Sequence, residues 1–202
     1  MPDLKYAIPD FLEQAKNIVR VLSFDPGSVN MGCSLVEYDK SLKTITVLAN
    51  TVLTHPLHDI KSFIRERQQF VDEVQAWISA GKPSAIIAER FQSRGLRGTT
   101  IECVCIMLGI LSSFGLPVLF TTAATWKNRY QKRFNVDLRQ IYNELQVAPH
   151  QLDSALIGCF GLESGTKQYI DFSIDDVIAQ VTDTSLIPLK IKKNRRFRDE
   201  DA

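Results

Sequence analysis

Runs of β-branched and apolar residues mark the first quarter of the chain as strand-forming. Residues 17–24 are a β-branched, apolar run that stops at the turn-forming sequence Asp-Pro-Gly-Ser of 25–28. Two more runs of the same character, 31–38 and 44–53, follow at hairpin distances. We therefore predict three neighbouring strands that form an antiparallel meander.

The period of the pattern changes after the third strand. From 58 to 80, apolar side chains recur every three or four positions, and Gly81 and Pro83 provide a stop, which predicts a long amphipathic helix. The short apolar run at 84–88 is typical of a strand that is buried on both faces, and it ends in Glu89.

The second half of the chain predicts helices with one more strand among them. We expect a polar loop at 90–100, a helix at 101–114, a strand at 117–120, a short basic helix or turn at 123–134, helices at 137–145 and 150–162, and a weaker amphipathic pattern after Gly165. This order predicts an α/β fold in which a mixed five-stranded sheet, its first three strands antiparallel, is flanked by helices.

Length and charge limit the possibilities less than they first suggest. The 202 residues, 45% of them apolar, are enough for one sizeable core and favour one compact domain. A net charge of +1 excludes a uniformly basic protein, but it averages opposed segments. Basic residues concentrate in 127–139 and 190–198, and three acids follow directly at 199–201.

The cysteines and the termini indicate an intracellular protein. The four cysteines show no CxxC spacing, and Cys103 and Cys105 lie in an apolar run, where buried free thiols are expected. The first twenty residues mix acids and bases and fit no signal or transit peptide. Gly115 and Pro117 break the long uncharged stretch of 103–126, so we expect no membrane span. The expected location is cytoplasmic, and nucleoid-associated if the source is prokaryotic or viral.

Three acids stand where chemistry is expected. Asp25 closes the first strand, Glu89 closes the fourth, and Asp153 lies in a late helix that is otherwise apolar. If these two strands are neighbours and the helix packs on the sheet, the three carboxylates converge at one sheet edge. They would repel one another unless divalent cations lay between them, and oxygen ligands suit Mg²⁺ or Mn²⁺. Two such ions about 4 Å apart would clamp the oxygens of a phosphodiester displacement.

Three motifs resemble one enzyme family. The segments LSFDPGSVNMG at 22–32, IIAE at 86–89 and HQLDSAL at 150–156 resemble, in order, the motifs of the RuvC family of Holliday junction resolvases, which have a ribonuclease H-like fold. The resemblance extends over residues 19–162, about 70% of the chain. It implies that 1–165 is the nuclease domain, of which 1–16 is an N-terminal extension. Residues 166–202 would be a C-terminal extension with a basic tail.

The resemblance also implies roles for particular residues. Asp25 would contact both of two metal ions, Glu89 would bind one, and Asp153 with His150 would bind the other. Lys127 matches a family lysine that approaches the scissile phosphate. A second family lysine falls at Leu138 here, so Lys132, Arg133 and Arg139 are candidates to replace it. The family's junction-wedging aromatic has its nearest counterpart in Phe91, one position early.

Basic side chains around these motifs predict a DNA-binding surface. The arginines of the loop after Glu89 and the bases of the tail would contact phosphates without reading sequence. The full candidate set is Arg90, Phe91, Arg94, Arg97, Lys132, Arg133, Arg139, Lys192, Lys193, Arg195 and Arg196. A solvated, disordered end is the competing interpretation of the tail.

The implied activity is a Mg²⁺-dependent endodeoxyribonuclease that resolves four-way DNA junctions as a homodimer. Alternatives stay open: a nuclease for flaps, forks or RNA–DNA hybrids, a catalytically silent junction-binding protein, or an ATP-binding actin-like fold, which the chain length disfavours. The residues also have simpler interpretations. Asp25 could belong to an ordinary turn, Glu89 could pair with Arg90, Asp153 could be a helix-start acid, and the 101–114 helix could be either core or dimer interface.

Overall fold

One sheet organises the computed structural model, which describes residues 17–27, 29–54, 60–90, 98–144 and 148–183. The strands are β1 (Ile18–Asp25), β2 (Asn30–Asp39), β3 (Thr44–Thr54), β4 (Ala85–Glu89) and β5 (Val118–Thr121). Their order across the sheet is β3-β2-β1-β4-β5. The first three strands pair antiparallel, and β4 and β5 run parallel to β1. The predicted mixed sheet with an antiparallel meander is confirmed.

Six helices follow the meander in the described part of the chain. They are α1 (Ile60–Gly81), α2 (Thr99–Leu111), α3 (Ala123–Phe134), α4 (Leu138–Glu144), α5 (Pro149–Thr166) and α6 (Ile174–Thr182). The segment that the sequence predicts as either a short helix or a turn is helix α3. Thr122 caps it by accepting a hydrogen bond from the Thr125 amide, and it ends at Asn135, whose backbone is in the left-handed conformation. Helix α2 ends earlier than expected because the hydroxyls of Ser112 and Ser113 bond to carbonyls of its last turn.

Side-chain alternation along the sheet divides the core into two layers. On β1, Val19 and Val21 pack with α3, α4, α5 and α6, whereas Leu22 and Phe24 face the opposite way and pack with α1 and α2. On β4, Ile87 faces the α5 side and Ile86 the other. The odd-numbered residues of both strands therefore point towards α5.

Helix α5 lies unusually close to the sheet because small residues line its contact face. A Cβ at Gly158 would lie 2.6 Å from Cγ2 of Val36, and one at Gly161 would lie 2.5 Å from Cγ1 of Ile87. Such short distances leave no room for larger side chains. The close approach brings the first turns of α5 to the carboxyl ends of β1 and β4.

A buried polar network fixes the position of α5 on the meander. Ser23 Oγ donates to the Ser154 carbonyl at 2.7 Å, and Asn50 Nδ2 donates to the Gln151 carbonyl at 2.9 Å and to Ser34 Oγ at 2.6 Å. The first two bonds join β1 and β3 to α5, and the hydroxyls of Ser34 on β2 and Ser154 on α5 lie 2.6 Å apart. Because a shift of the helix would leave buried polar atoms unpaired, the network resists sliding.

The core continues to the end of the described chain. Ile174, Val177 and Val181 of α6 belong to the same apolar cluster as β2 and β3, and the Val47 amide donates to Gln180 Oε1 at 2.6 Å. The division at residue 165 stays a prediction, and the sheet-packed core extends past it. The segments 1–16 and 184–202 lie outside the described residues.

Two expectations about apolar segments have different outcomes. Cys33, Cys103 and Cys159 are buried free thiols, but Cys105 is exposed, so its expected burial was wrong. It lies on the outer face of α2, two positions from the inward-facing Cys103, and an apolar run does not reveal which face is covered. Among the described helices, none combines the length and the apolar character that a membrane span requires.

Candidate active site

Asp25 and Glu89 lie side by side at the carboxyl edge of the sheet. Strands β1 and β4 are parallel and pair Phe24 with Ala88, so the next residue of each strand is one of the two acids. Both acids share the side of the sheet that faces α5. Asp25 is buried at 7% relative exposure, and Glu89 is half-buried. The predicted convergence of the two strand ends is present.

The first turn of α5 brings His150 to this edge. Its Nδ1 lies 2.6 Å from Asp25 Oδ2. The approach depends on Gly32, because a Cβ there would overlap the carbonyl oxygen of His150. The glycine of the first sequence motif therefore serves the contact between β2 and the third motif, 118 residues later.

Asp153 lies one turn further along α5 and is held by two other helices. Lys127 Nζ of α3 lies 2.7 Å from Asp153 Oδ2, and the Tyr142 hydroxyl of α4 donates to Asp153 Oδ1. The lysine ammonium also lies 5.5 Å from the centre of the Tyr142 ring. Lys127 was predicted at this site from the sequence. Tyr142 was not, because the segment that contains Tyr142 carries no motif.

Glu89 has a neutral partner. Trp126 Nε1 donates to Glu89 Oε2 at 2.7 Å, and the Lys127 ammonium lies 4.9 Å from the centre of the same indole. Sequence analysis also missed this role of Trp126. The available signal was its position directly before Lys127.

Negative charge is in excess around these residues. Burial, together with the charges of Asp25 and Asp153, raises the pKa of Glu89 from 4.5 to about 7, although Trp126 and Lys127 oppose the shift. Burial and the charge of Asp25 raise the pKa of Asp153. The hydrogen bond to Asp25 raises the pKa of His150. The three carboxylates therefore interact, and among the described residues Lys127 is the cation whose charge opposes the raised pKa values of Glu89 and Asp153.

The donor set fits a hard divalent cation, but the ligands are arranged in pairs. Asp25 lies against His150, Asp153 against Lys127 and Glu89 against Trp126. Across the described residues, no three His, Cys, Asp or Glu side chains converge closely enough to hold one ion. The roles of Asp25, Glu89, His150 and Asp153 as metal ligands stay a prediction. Carboxylate oxygens in negative excess are nevertheless the ligands that Mg²⁺ and Mn²⁺ prefer.

The candidate DNA-binding residues are dispersed. Arg90, Lys132 and Arg139 are exposed. Phe91, Arg94 and Arg97 of the loop, and the tail residues Lys192, Lys193, Arg195 and Arg196, lie outside the described ranges. The basic surface therefore stays a prediction.

Arg133 has a structural partner that the sequence did not reveal. Its Nη1 lies 2.5 Å from Glu163 Oε1, its Nη2 donates to the Ile170 carbonyl at 2.6 Å, and only 13% of its side chain is exposed. Arg129 Nη2 lies 3.2 Å from the second oxygen of Glu163. We call Glu163, Arg129 and Arg133 the Glu163 cluster. The guanidinium of Arg133 thus has structural partners within the protein, and its contact with DNA stays a prediction.

Comparison with known proteins supports the fold. The RuvC of Thermus thermophilus in complex with a Holliday junction substrate aligns over 73% of this chain and 97% of its own, at 22% identity and a TM-score of 0.53. A second T. thermophilus RuvC structure aligns at 20% identity over 73% of this chain and 98% of its own, with a TM-score of 0.49. A fowlpox virus resolvase bound to Holliday junction DNA aligns at 16% identity over 72% and 98%, with a TM-score of 0.41.

No family model matches the chain, and no curated protein does either. At this level of identity, the likeness to T. thermophilus RuvC concerns the fold. The ribonuclease H-like, RuvC-like fold that the motifs predicted is confirmed.

Proposed function

We propose that this protein is a structure-selective endonuclease that resolves four-way DNA junctions. It would hydrolyse phosphodiesters in paired, symmetric positions and leave 5′-phosphates. The observation that carries the proposal is that Asp25 and Glu89 end two neighbouring parallel strands, while Asp153, paired with Lys127, lies near enough for its charge to act on Glu89. The fold that this chain shares with a RuvC solved on its junction substrate supports the same reaction class.

We assign four ligands to two Mg²⁺ or Mn²⁺ ions. Asp25 would contact both ions, Glu89 one, and Asp153 with His150 the other. Bound there, the ions would supply stabilisation of the attacking and leaving oxygens. The structure supports this assignment by the negative excess at the site and by the burial of Asp25 and Asp153.

The chain's own residues would position the phosphate. Lys127 reaches the site from α3, where 30% of its side chain is exposed, and its ammonium would contact a phosphate oxygen. Tyr142 holds Asp153 from the opposite side and limits its rotation. His150 holds Asp25 through Nδ1, and the glycine contact at Gly32 fixes the helix turn that carries the histidine.

A four-way junction has two-fold symmetry, so paired nicks call for two sites related by the same symmetry. We therefore include a homodimer in the proposal. Arg90, Lys132 and Arg139, together with the loop and tail candidates, would contact the DNA backbone. Such contacts position the DNA but carry no sequence information.

A panel of labelled branched DNAs tests the proposal. Wild-type protein with Mg²⁺ should nick an intact four-way junction in paired positions and cleave flaps, forks and RNA–DNA hybrids more slowly. Asp153→Asn protein serves as the site control. Equal cleavage of flaps and junctions would reduce the function to a general branch nuclease. Junction binding without metal-dependent cleavage would identify a silent binding protein.

A further inference from the structure

We infer that Trp126 is a positioning residue that aims the carboxylate of Glu89 at a bound divalent cation. The inference rests on the proposed function, since it concerns the same site. The indole N–H donates to one oxygen of Glu89 at 2.7 Å, which leaves the other oxygen for the ion. Groups that orient a metal ligand in this way typically change metal affinity by about 10–100-fold when removed.

The packing of Trp126 makes its N–H a fixed donor. The side chain is fully buried, and its ring contacts Tyr130 edge-on at a centroid distance of 6.5 Å. The helix that carries it begins at Ala123 and is capped by Thr122, four positions before Trp126. Because neither the ring nor the helix turn is free to move, the direction of the N–H bond is set by the fold.

A neutral donor suits this position better than a cation would. Lys127 holds Asp153 with a full positive charge, which a divalent ion must displace or tolerate. Trp126 orients Glu89 without cancelling its charge, so the carboxylate keeps its attraction for the ion. The indole also lies beneath the Lys127 ammonium at 4.9 Å, so one side chain supports two neighbouring members of the site.

The second tryptophan of the chain provides a contrast. Trp77 is buried at 1% exposure in the opposite layer, and its Nε1 has no hydrogen-bond partner among the described residues. The fold therefore accommodates a buried indole whose N–H is unused. The bond from Trp126 to Glu89 is thus a specific feature of this edge of the sheet.

The chain has two tryptophans, so each serves as the control for the other. Trp126→Phe removes the donor and keeps an aromatic ring, and Trp77→Phe makes the same change away from the site. Free Mn²⁺ is measured by electron paramagnetic resonance during titration of wild type and both variants. We expect Trp126→Phe to weaken Mn²⁺ binding about tenfold or more and Trp77→Phe to change it less than about twofold.

A second measurement leaves Trp126 in place and therefore needs no destabilising change there. In Trp77→Phe protein, all tryptophan emission comes from Trp126, and Mn²⁺ should change it at the concentration that saturates binding. Adding Glu89→Gln should abolish that response. The inference is overturned if Trp126→Phe binds Mn²⁺ as tightly as Trp77→Phe, or if bound Mn²⁺ leaves the emission unchanged.

These outcomes separate the inference from the proposed function. A protein whose Trp126 emission responds to Mn²⁺ but which cleaves no branched DNA would contradict the function and support the positioning role. A protein that cleaves junctions, with equal Mg²⁺ requirements in Trp126→Phe and Trp77→Phe, would support the function and overturn the positioning role.

Discussion

Helix α5 carries two buried acids, Asp153 and Glu163, and the positive charge around them is very different. Glu163 is fully buried and lies within 3.2 Å of two guanidinium groups, those of Arg129 and Arg133. Asp153 pairs with one lysine, Lys127, and it interacts electrostatically with the carboxylates of Asp25 and Glu89. Among the described residues, one carboxylate thus meets two cations, whereas three carboxylates meet one lysine and one histidine.

The comparison separates structural acids from functional ones. A buried charge that the protein balances contributes to the fold and has little left to offer a ligand. A set of charges that the protein leaves unbalanced stores an attraction for an external cation. Substitution of Glu163 and substitution of an acid of the unbalanced set should therefore have opposite consequences for stability and for cleavage.

The largest expected effect on stability comes from the Glu163 cluster. Glu163→Gln leaves Arg129 and Arg133 without a counter-charge, and breaking a buried pair in this way costs about 3 kcal/mol or more. Urea unfolding should show this loss in the free energy of unfolding. Cleavage per folded molecule should stay within about threefold of wild type, since Glu163 does not contact the strand-end acids.

Glu37→Gln is the control for that change. Glu37 pairs with Arg20 at 2.7 Å, but both side chains are partly exposed, so the loss should be below about 1 kcal/mol. If the two substitutions lower the free energy of unfolding equally, the buried Glu163 cluster stabilises the fold no more than a partly exposed ion pair does.

Asp25→Asn should have the opposite profile. Removing a carboxylate from the negative excess deprives the proposed ions of a shared ligand, so single-turnover junction cleavage should fall by about two orders of magnitude or more. The free energy of unfolding should change by less than about 1 kcal/mol, because relief of repulsion offsets the lost bond to His150. Asp39→Asn, at the opposite end of the sheet, should leave cleavage unchanged.

Gly32→Ala should affect both properties. The added methyl group would overlap the His150 carbonyl, so α5 must shift, at a cost of about 1–3 kcal/mol in stability. Cleavage should fall as well, because the shift moves His150 away from Asp25. Gly109→Ala is the matched control: its Cβ meets nothing within 4 Å, and the change should stabilise α2 by about 0.5–1 kcal/mol. Unchanged cleavage in Gly32→Ala would argue against a requirement for this close contact.

The smallest expected effect is a pH dependence of the metal-free protein. The pKa of Glu89 is raised from 4.5 to about 7, so the folded protein retains a proton that the unfolded chain releases, and stability falls as pH rises through this interval. The raised pKa values of Asp153 and His150 act in the same direction. Unfolding in EDTA from about pH 5 to about pH 8 should show a loss on the order of 1 kcal/mol. Glu89→Gln should reduce this dependence of the free energy of unfolding on pH. A free energy of unfolding that increases with pH in the wild type would show instead that the acids are balanced.

Local patterns in the sequence predicted most of the fold. Runs of β-branched and apolar residues identified the strands of the meander, and helical periodicity identified α1, because each signal lies within one element. The end of α2 was misplaced because hydroxyl bonds of Ser112 and Ser113 compete with the next helical turn. The exposure of Cys105 depends on which side of α2 the sheet covers, which its own segment does not encode.

The site was only partly predictable for a related reason. Asp25, Glu89 and His150 with Asp153 lie in recognisable motifs, and strand direction alone brings the first two together. Trp126 and Tyr142 contact those acids only because α3 and α4 pack beside α5, so their contribution depends on three helices at once. The contact between Arg133 and Glu163 could not be predicted, because the two residues lie 30 positions apart along the chain.

The packing of α6 against β3 also affects how two copies of the chain can associate. An edge strand with free amides invites pairing with a strand of another molecule. Here Gln180 accepts from the Val47 amide, and a register shift in β3 opposite Leu35 and Val36 interrupts the regular ladder. Both features make β3 a poor template for intermolecular sheet extension. This edge of the sheet is therefore protected against pairing with a strand of another molecule.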